Sequence, residues 1–146
     1  MKKVIALFVL VGFASSSFMA NEPSNLVQTD SADKINFSQM TFEQALKEAK
    51  KTGKLIFLDA YTDWCGPCKK MSARTFTDPA VAKLFNSKFI NLKIEMEKNP
   101  DGPEIARKYA IRAYPSLLFL DGNGKVIKYV VGYQNPDQLI AVGKSL

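Results

Sequence analysis

The run Lys54–Tyr61 (KLIFLDAY) limits the fold more than any other stretch of this chain. It is almost continuously apolar, so a strand built from it has side chains to bury on both faces. Such a strand needs cover above and below. The segments around it supply helices, and the order reads helix, strand, helix, strand, helix, hairpin, helix. That alternation points to an α/β fold: a central mixed sheet with helices on both faces.

Thr41–Gly53 (TFEQALKEAKKTG) reads as the first helix. Thr41 and Gln44 have capping-box spacing, Phe42, Ala45, Leu46 and Ala49 make one apolar face, and Gly53 stops it. After KLIFLDAY a helix is expected to open at Cys65 and to run through Met71 to Arg74. Asp78-Pro79 starts another, with Asp as cap and Pro at the first position. KFINLKIEM is a second buried strand, and NPDGPEIARKYAI a turn and short helix. YPSLLFLDGNGKVIKYVVGY reads as a hairpin of two apolar strands around Gly122-Asn123-Gly124. A closing helix is capped by Asn135. A further strand is expected near Ile35–Phe37.

The N-terminus differs from the rest. Lys2 and Lys3 precede an apolar run from Val4 to Phe13, followed by small residues from Ala14 to Ser17. This is the pattern of a secretory signal peptide, and the run is short for a membrane span. Residues 1–20 are assigned to the signal, with cleavage after Ser16 or Ser17 as alternatives. Residues 21–34 read as a polar lead-in and residues 35–146 as the folded domain. The charge is +6, from 20 Lys and Arg against 14 Asp and Glu. The basic residues are dispersed, so nucleic acid is not an expected partner. Export, to a bacterial periplasm, places the cysteines where disulfides persist.

Cys65 and Cys68 are the two cysteines of the chain, and it has no histidine. A structural zinc site takes four N or S donors, so no metal is expected, and no other cofactor. A structural disulfide between them would close a loop of two residues and constrain little chain entropy. A C-x-x-C that follows a strand in a βαβ pattern reads instead as a redox pair. Cys65, at the helix start, has the environment that favours a thiolate and is the expected nucleophile. Cys68, one turn deeper, is placed to resolve a mixed disulfide. Gly66 allows close approach of a target backbone, and Pro67 presets the helical φ.

The stretch DWCGPCKK resembles the active site of the thioredoxin family, and the likeness continues from Thr41 to Leu146. Asp59, six residues before Cys65, matches the family's buried aspartate. The resemblance implies a raised pKa there and a role in taking the Cys68 proton. Lys93 matches the lysine that pairs with it. IRAYPSLLF resembles the cis-proline segment, implying a cis bond between Tyr114 and Pro115 beside the cysteines, with backbone groups offered to an extended substrate. Trp64 matches the tryptophan that covers the site, and Gly132 a glycine near the substrate groove; both are expected to contact substrate. RTFTDPAVAKLF departs from thioredoxin. It is more like the C-terminal thioredoxin-like domain of bacterial transmembrane thiol-disulfide transporters and their exported single-domain relatives.

The expected activity is therefore that of an exported protein-disulfide reductase working through the redox-active Cys65–Cys68 disulfide. Its expected partners are disulfide-containing client proteins and a membrane thiol electron donor, and a monomer is expected. A thiol oxidase or isomerase using the same site is an alternative. So is a non-catalytic peptide-binding module with the same fold.

Overall fold

A computed structural model describes residues 33–146; the expected signal segment 1–20 and residues 21–32 of the lead-in lie outside the described residues. The elements follow the expected order. They are α1 (Phe42–Thr52), β1 (Leu55–Tyr61), α2 (Gly66–Lys70), a π-helical turn (Met71–Thr75), α3 (Pro79–Lys88), β2 (Phe89–Glu95), α4 (Gly102–Lys108), β3 (Ser116–Leu120), β4 (Val126–Val131) and α5 (Pro136–Lys144).

Local chemistry sets the helix ends. The Thr41 hydroxyl accepts the Gln44 N–H, and the Gln44 side chain accepts the Thr41 N–H in return. This closes two of the four donors that a helix start leaves open. Gly53 ends α1 in the left-handed region at φ +72°, where a Cβ would be strained. Asp78 caps α3 through two N–H groups, and Asn135 with Gln138 repeats the capping box on α5.

The sheet order is β2-β1-β3-β4. β1 and β2 run parallel, while β1–β3 and β3–β4 are antiparallel. β1 is thus internal to the sheet, and its alternation sends Ile56, Leu58 and Ala60 to one face and Phe57 to the other. The first face packs under α1 and α4 with Leu92, Ile94, Ile105 and Leu118. The second packs under the π-helical turn, α3 and α5 with Met71, Val81, Phe85, Phe119 and Leu139. Asp59 has the parity of Phe57 and so shares the second face.

Two expectations are corrected, and the hairpin, which is present, has one further feature. The segment around Ile35–Phe37 is extended but is not a strand. The Ile35 N–H goes to the Phe76 carbonyl and the Ser38 N–H to the Asn91 carbonyl, so it is stitched to two elements rather than laddered along one. The helix after the cysteines does not continue as α through Arg74; from Met71 it widens into a π-helical turn that ends at Thr75. The hairpin's two strands are unlike: β3 is wholly buried, whereas β4 lies at the sheet edge and is largely exposed.

Phe57 is the centre of the second face. Its ring lies 4.8 Å from that of Phe85, 5.2 Å from Phe119, 6.2 Å from Phe76 and 6.3 Å from Phe37. Most of these contacts are edge-on or tilted, the geometries that aromatic quadrupoles favour. Phe57→Ala is expected to cost about 3–5 kcal/mol, because both transfer energy and a cavity are at stake. Urea unfolding should show this as a lower midpoint at unchanged slope; a loss below about 1 kcal/mol would contradict the packing argument.

Candidate active site

The site forms where β1 runs out. After Tyr61 the chain turns through Thr62, Asp63 and Trp64, and Cys65 becomes the N-cap of α2 at φ −75° and ψ 106°. Its Sγ accepts the N–H of Cys68 at 3.1 Å. A sulfur held this way is aimed at a donor that would stabilise negative charge on it. Cys65 and Cys68 are joined in a disulfide, and both are buried, at 3% and 2% exposure. Pro67 occupies the first turn of α2. Gly66 is exposed, and a Cβ added there meets nothing within 4 Å. Packing within the chain therefore does not require a glycine at this position.

Two more segments connect to Trp64, the residue before Cys65. Trp64 is 66% exposed, with its ring edge-on to Tyr114 at 5.8 Å and its Nε1–H donated to the Glu97 carboxylate at 3.1 Å. The Tyr114–Pro115 bond is cis. The Gly132 N–H donates to the Pro115 carbonyl at 2.8 Å, and Gly132 takes φ +93°, a conformation that side chains resist. The Thr75 hydroxyl donates to the Gln134 carbonyl at 2.8 Å, tying the π-helical turn to the loop after β4. Trp64, Tyr114, Pro115 and Gly132 thus form one connected rim.

Below lies a charged pair. Asp59 and Lys93 are register partners on β1 and β2, with Lys93 Nζ 2.8 Å from Asp59 Oδ2. Asp59 is 1% exposed, and its Oδ1 is buried without a partner. Burial pushes its carboxyl above the ordinary range, and the Lys93 charge pulls it part of the way back. Lys93 Nζ also lies 2.7 Å from Ser72 Oγ, and the Ser72 hydroxyl is 3.1 Å from the Cys68 carbonyl, to which it donates. The rings of Tyr61, Phe76 and Phe37 surround the ammonium at 4.4, 5.1 and 5.7 Å. Burial raises the Tyr61 phenol, helped by the carboxylates of Asp63, Glu95 and Asp59. A cleft of about 360 Å³ opens beside Cys68, lined by Tyr61, Thr62, Asp63, Lys69, Ser72 and Ala73.

The sequence reading omitted several contributors. Ser72 links Lys93 to the cysteine helix. Glu95, 8% exposed, accepts the N–H groups of Asp63 and Glu97 at 3.2 and 2.8 Å and that of Lys98 as well. It thereby clasps the loop before Cys65 to the loop that carries Glu97. Ser72 stands four residues after Cys68, one helical turn on, which was a usable signal. Glu95 ends an apolar strand, where a charge reads as solvated surface. Among the described residues, no three His, Cys, Asp or Glu side chains gather as metal donors.

A disulfide between residues three apart fixes almost no chain, so its worth to the molecule is chemical: it can be opened and closed. That places the protein among the thiol-disulfide oxidoreductases built on the thioredoxin fold. The chain belongs to the thioredoxin-like domain family, which matches residues 42–146. It is 30% identical to the thiol:disulfide interchange protein DsbD of Colwellia psychrerythraea over 150 aligned positions, 97% of this chain. It spans about a quarter of that relative's length (25%). Among solved structures, one from Bacteroides thetaiotaomicron, provisionally named a disulphide-isomerase, is 46% identical with a TM-score of 0.66. The match covers 76% of this chain and 92% of that one. A thioredoxin from Thermus thermophilus matches in fold at a TM-score of 0.67, with 19% identity over 77% of this chain and 86% of that one.

The buried carboxyl makes stability depend on pH. Asp59 binds its proton more tightly in the folded chain than in the unfolded one, so its contribution is complete below the unfolded pKa of about 3.9 and is lost as pH rises through the higher folded value. Asp59→Asn removes this loss. The stability of the variant relative to the parent is expected to increase as pH rises from about 4 to 8, measured by urea unfolding of the oxidised proteins. A difference that does not vary with pH would show that the carboxyl is not perturbed.

Proposed function

We propose that this protein is an exported reductant of protein disulfides. The observation that carries this reading is the Cys65–Cys68 disulfide itself, with the Cys65 sulfur on the N–H of Cys68 and a buried ion pair beneath. In the reduced state the Cys65 thiolate attacks one sulfur of a client disulfide. A Cys65–client S–S bond forms, the client S–S bond breaks, and one client thiolate leaves. Cys68 gives up its proton, with Asp59 as the base, and its thiolate attacks Cys65 Sγ. The Cys65–Cys68 bond forms, the second client sulfur leaves, and its thiolate is protonated. Two electrons have passed to the client.

Lys93 holds the charge of Asp59 as it ionises. Tyr114, Pro115, Gly132 and Gly66 border the surface against which an extended client segment would lie, and Trp64 is its apolar flank. A membrane thiol donor returns the protein to the dithiol form. The N-terminal pattern supports export to a bacterial periplasm, and the resemblance to one part of a thiol:disulfide interchange protein supports such a donor.

The Bacteroides neighbour's name supports a second reading, isomerisation by the same pair. Two assays separate the readings. A reductant turns over insulin with a regenerating thiol donor and has a potential near that of thioredoxin, about −270 mV. A potential near about −120 mV excludes it as a reductant, and efficient unscrambling of ribonuclease favours the isomerase. Cys68→Ser should accumulate mixed disulfides through Cys65, visible on non-reducing gels and absent in Cys65→Ser. No trapped adduct from a reduced, accessible Cys65 would defeat the mechanism.

A further inference from the structure

The buried carboxyl and the resolving cysteine are joined by a hydrogen-bonded path that runs through a residue with no assigned part. From Asp59 Oδ2 it goes to Lys93 Nζ at 2.8 Å, to Ser72 Oγ at 2.7 Å, and to the carbonyl of Cys68 at 3.1 Å. Ser72 is the side chain that bridges the Lys93 ammonium and the Cys68 carbonyl. It lines the cleft beside Cys68, and it lines a smaller one of about 160 Å³ with Lys93, Phe76, Phe37 and Lys34.

The Lys93 ammonium has three N–H donors to place. Asp59 and Ser72 take two of them. The remaining surroundings are the rings of Tyr61, Phe76 and Phe37, which attract the charge but accept no ordinary hydrogen bond. The lysine side chain is 22% exposed, so water is within its reach. Without the serine oxygen, the ammonium trades a fixed partner for solvent and loosens from Asp59.

We infer that Ser72 is a positioning residue of the resolving step: its hydroxyl pins the Lys93 ammonium against Asp59 and ties that pair to the Cys68 turn. This rests on the redox reading proposed above. The groups that face Asp59 and its partner are few. Lys93 comes from β2, Tyr61 from β1, Ser72 from the π-helical turn, where it also bonds the Cys68 carbonyl, and Lys34 from the segment before α1; the β3 register partner of Asp59 is Leu117. Lys93 is the charge that draws the Asp59 carboxyl down against its burial. Loosening it leaves the carboxyl holding its proton to higher pH, and the base for Cys68 becomes available later.

The test uses the reduced full chain and a self-quenched fluorescent peptide disulfide. Rapid mixing separates attack by Cys65 from release of the second peptide thiol, and the release rate is followed from about pH 5 to 9. Ser72→Ala is expected to raise the midpoint of the release phase by about one unit and to slow release about tenfold at pH 7, leaving the attack phase nearly unchanged. Ser72→Thr, which keeps the hydroxyl, should restore the parent midpoint. The carbon-13 carboxyl resonance of Asp59 in the oxidised protein should titrate higher in Ser72→Ala and not in Ser72→Thr. A midpoint in Ser72→Ala that stays or falls overturns the inference, as does a Ser72→Thr variant that behaves like Ser72→Ala. A parent protein with no release phase at all would instead defeat the redox reading.

Discussion

The Asp59–Lys93 pair is the constraint around which the rest of the site is arranged. Its two members stand opposite each other on the parallel strands β1 and β2, and Asp59 is almost fully buried. Taking a carboxylate out of water costs several kcal/mol, and one lysine repays this only with good geometry and further hydrogen bonds. Here the repayment is incomplete: Oδ1 has no partner. An apolar pair at these positions would serve stability at least as well. On the function proposed above, the pair's worth is chemical: a carboxyl that is costly to ionise, in reach of a cation that makes it less so, is suited to taking and returning a proton.

Several segments meet around the pair and hold it in place. Three aromatic rings close around the ammonium, and one of them, Phe37, comes from the extended segment before α1. This segment makes no ladder, yet its hydrogen bonds to Phe76 and Asn91 fix the ring over Lys93. The π-helical turn acts from the other side. Its widened backbone presents Ser72 to Lys93, buries Met71 and sends the Thr75 hydroxyl to the loop after β4. One irregular turn therefore connects the ion pair, the core and the rim that holds Gly132. π-turns of this kind often occur at functional sites, and here the connection gives the physical reason.

Much of this was legible in the sequence because it depends on spacing. KLIFLDAY required a sheet covered on both faces, and the caps at Thr41, Asp78 and Asn135 fall where the side chains can reach free N–H groups. The ion pair was legible only through resemblance. An aspartate in an apolar strand declares its burial, but its partner lies 34 positions away in a different strand. The π-turn left no mark, since MSART has ordinary helix formers and a segment of 5 residues is too short to show a change of period. The missing strand near Ile35 has the opposite cause. Ile35 and Phe37 are apolar and the segment is extended, but it makes one backbone bond to the β2 edge, through the Ser38 N–H, and strand identity is a property of the pairing. Glu95 was invisible for a third reason: its three N–H donors belong to loops whose course depends on the finished fold.

The division between core and site bears on how such a pair can cycle. A disulfide across two intervening residues restrains the unfolded chain little, so opening it removes little stability. Folding energy resides elsewhere, in the aromatic cluster around Phe57 and the apolar face under α1, each buried aromatic or aliphatic side chain contributing about 1.5–3 kcal/mol. The oxidised and reduced forms can then share one fold. The balance between them is set locally, by how well the Cys68 N–H and the helix start stabilise a Cys65 thiolate relative to the closed bond. Stabilising the thiolate stabilises the reduced form and makes the pair more oxidising; weakening that support makes it more reducing. The direction of electron flow is therefore a property of a few atoms around Cys65, read against the donor and the client, and the scaffold serves to keep those atoms in place through both states.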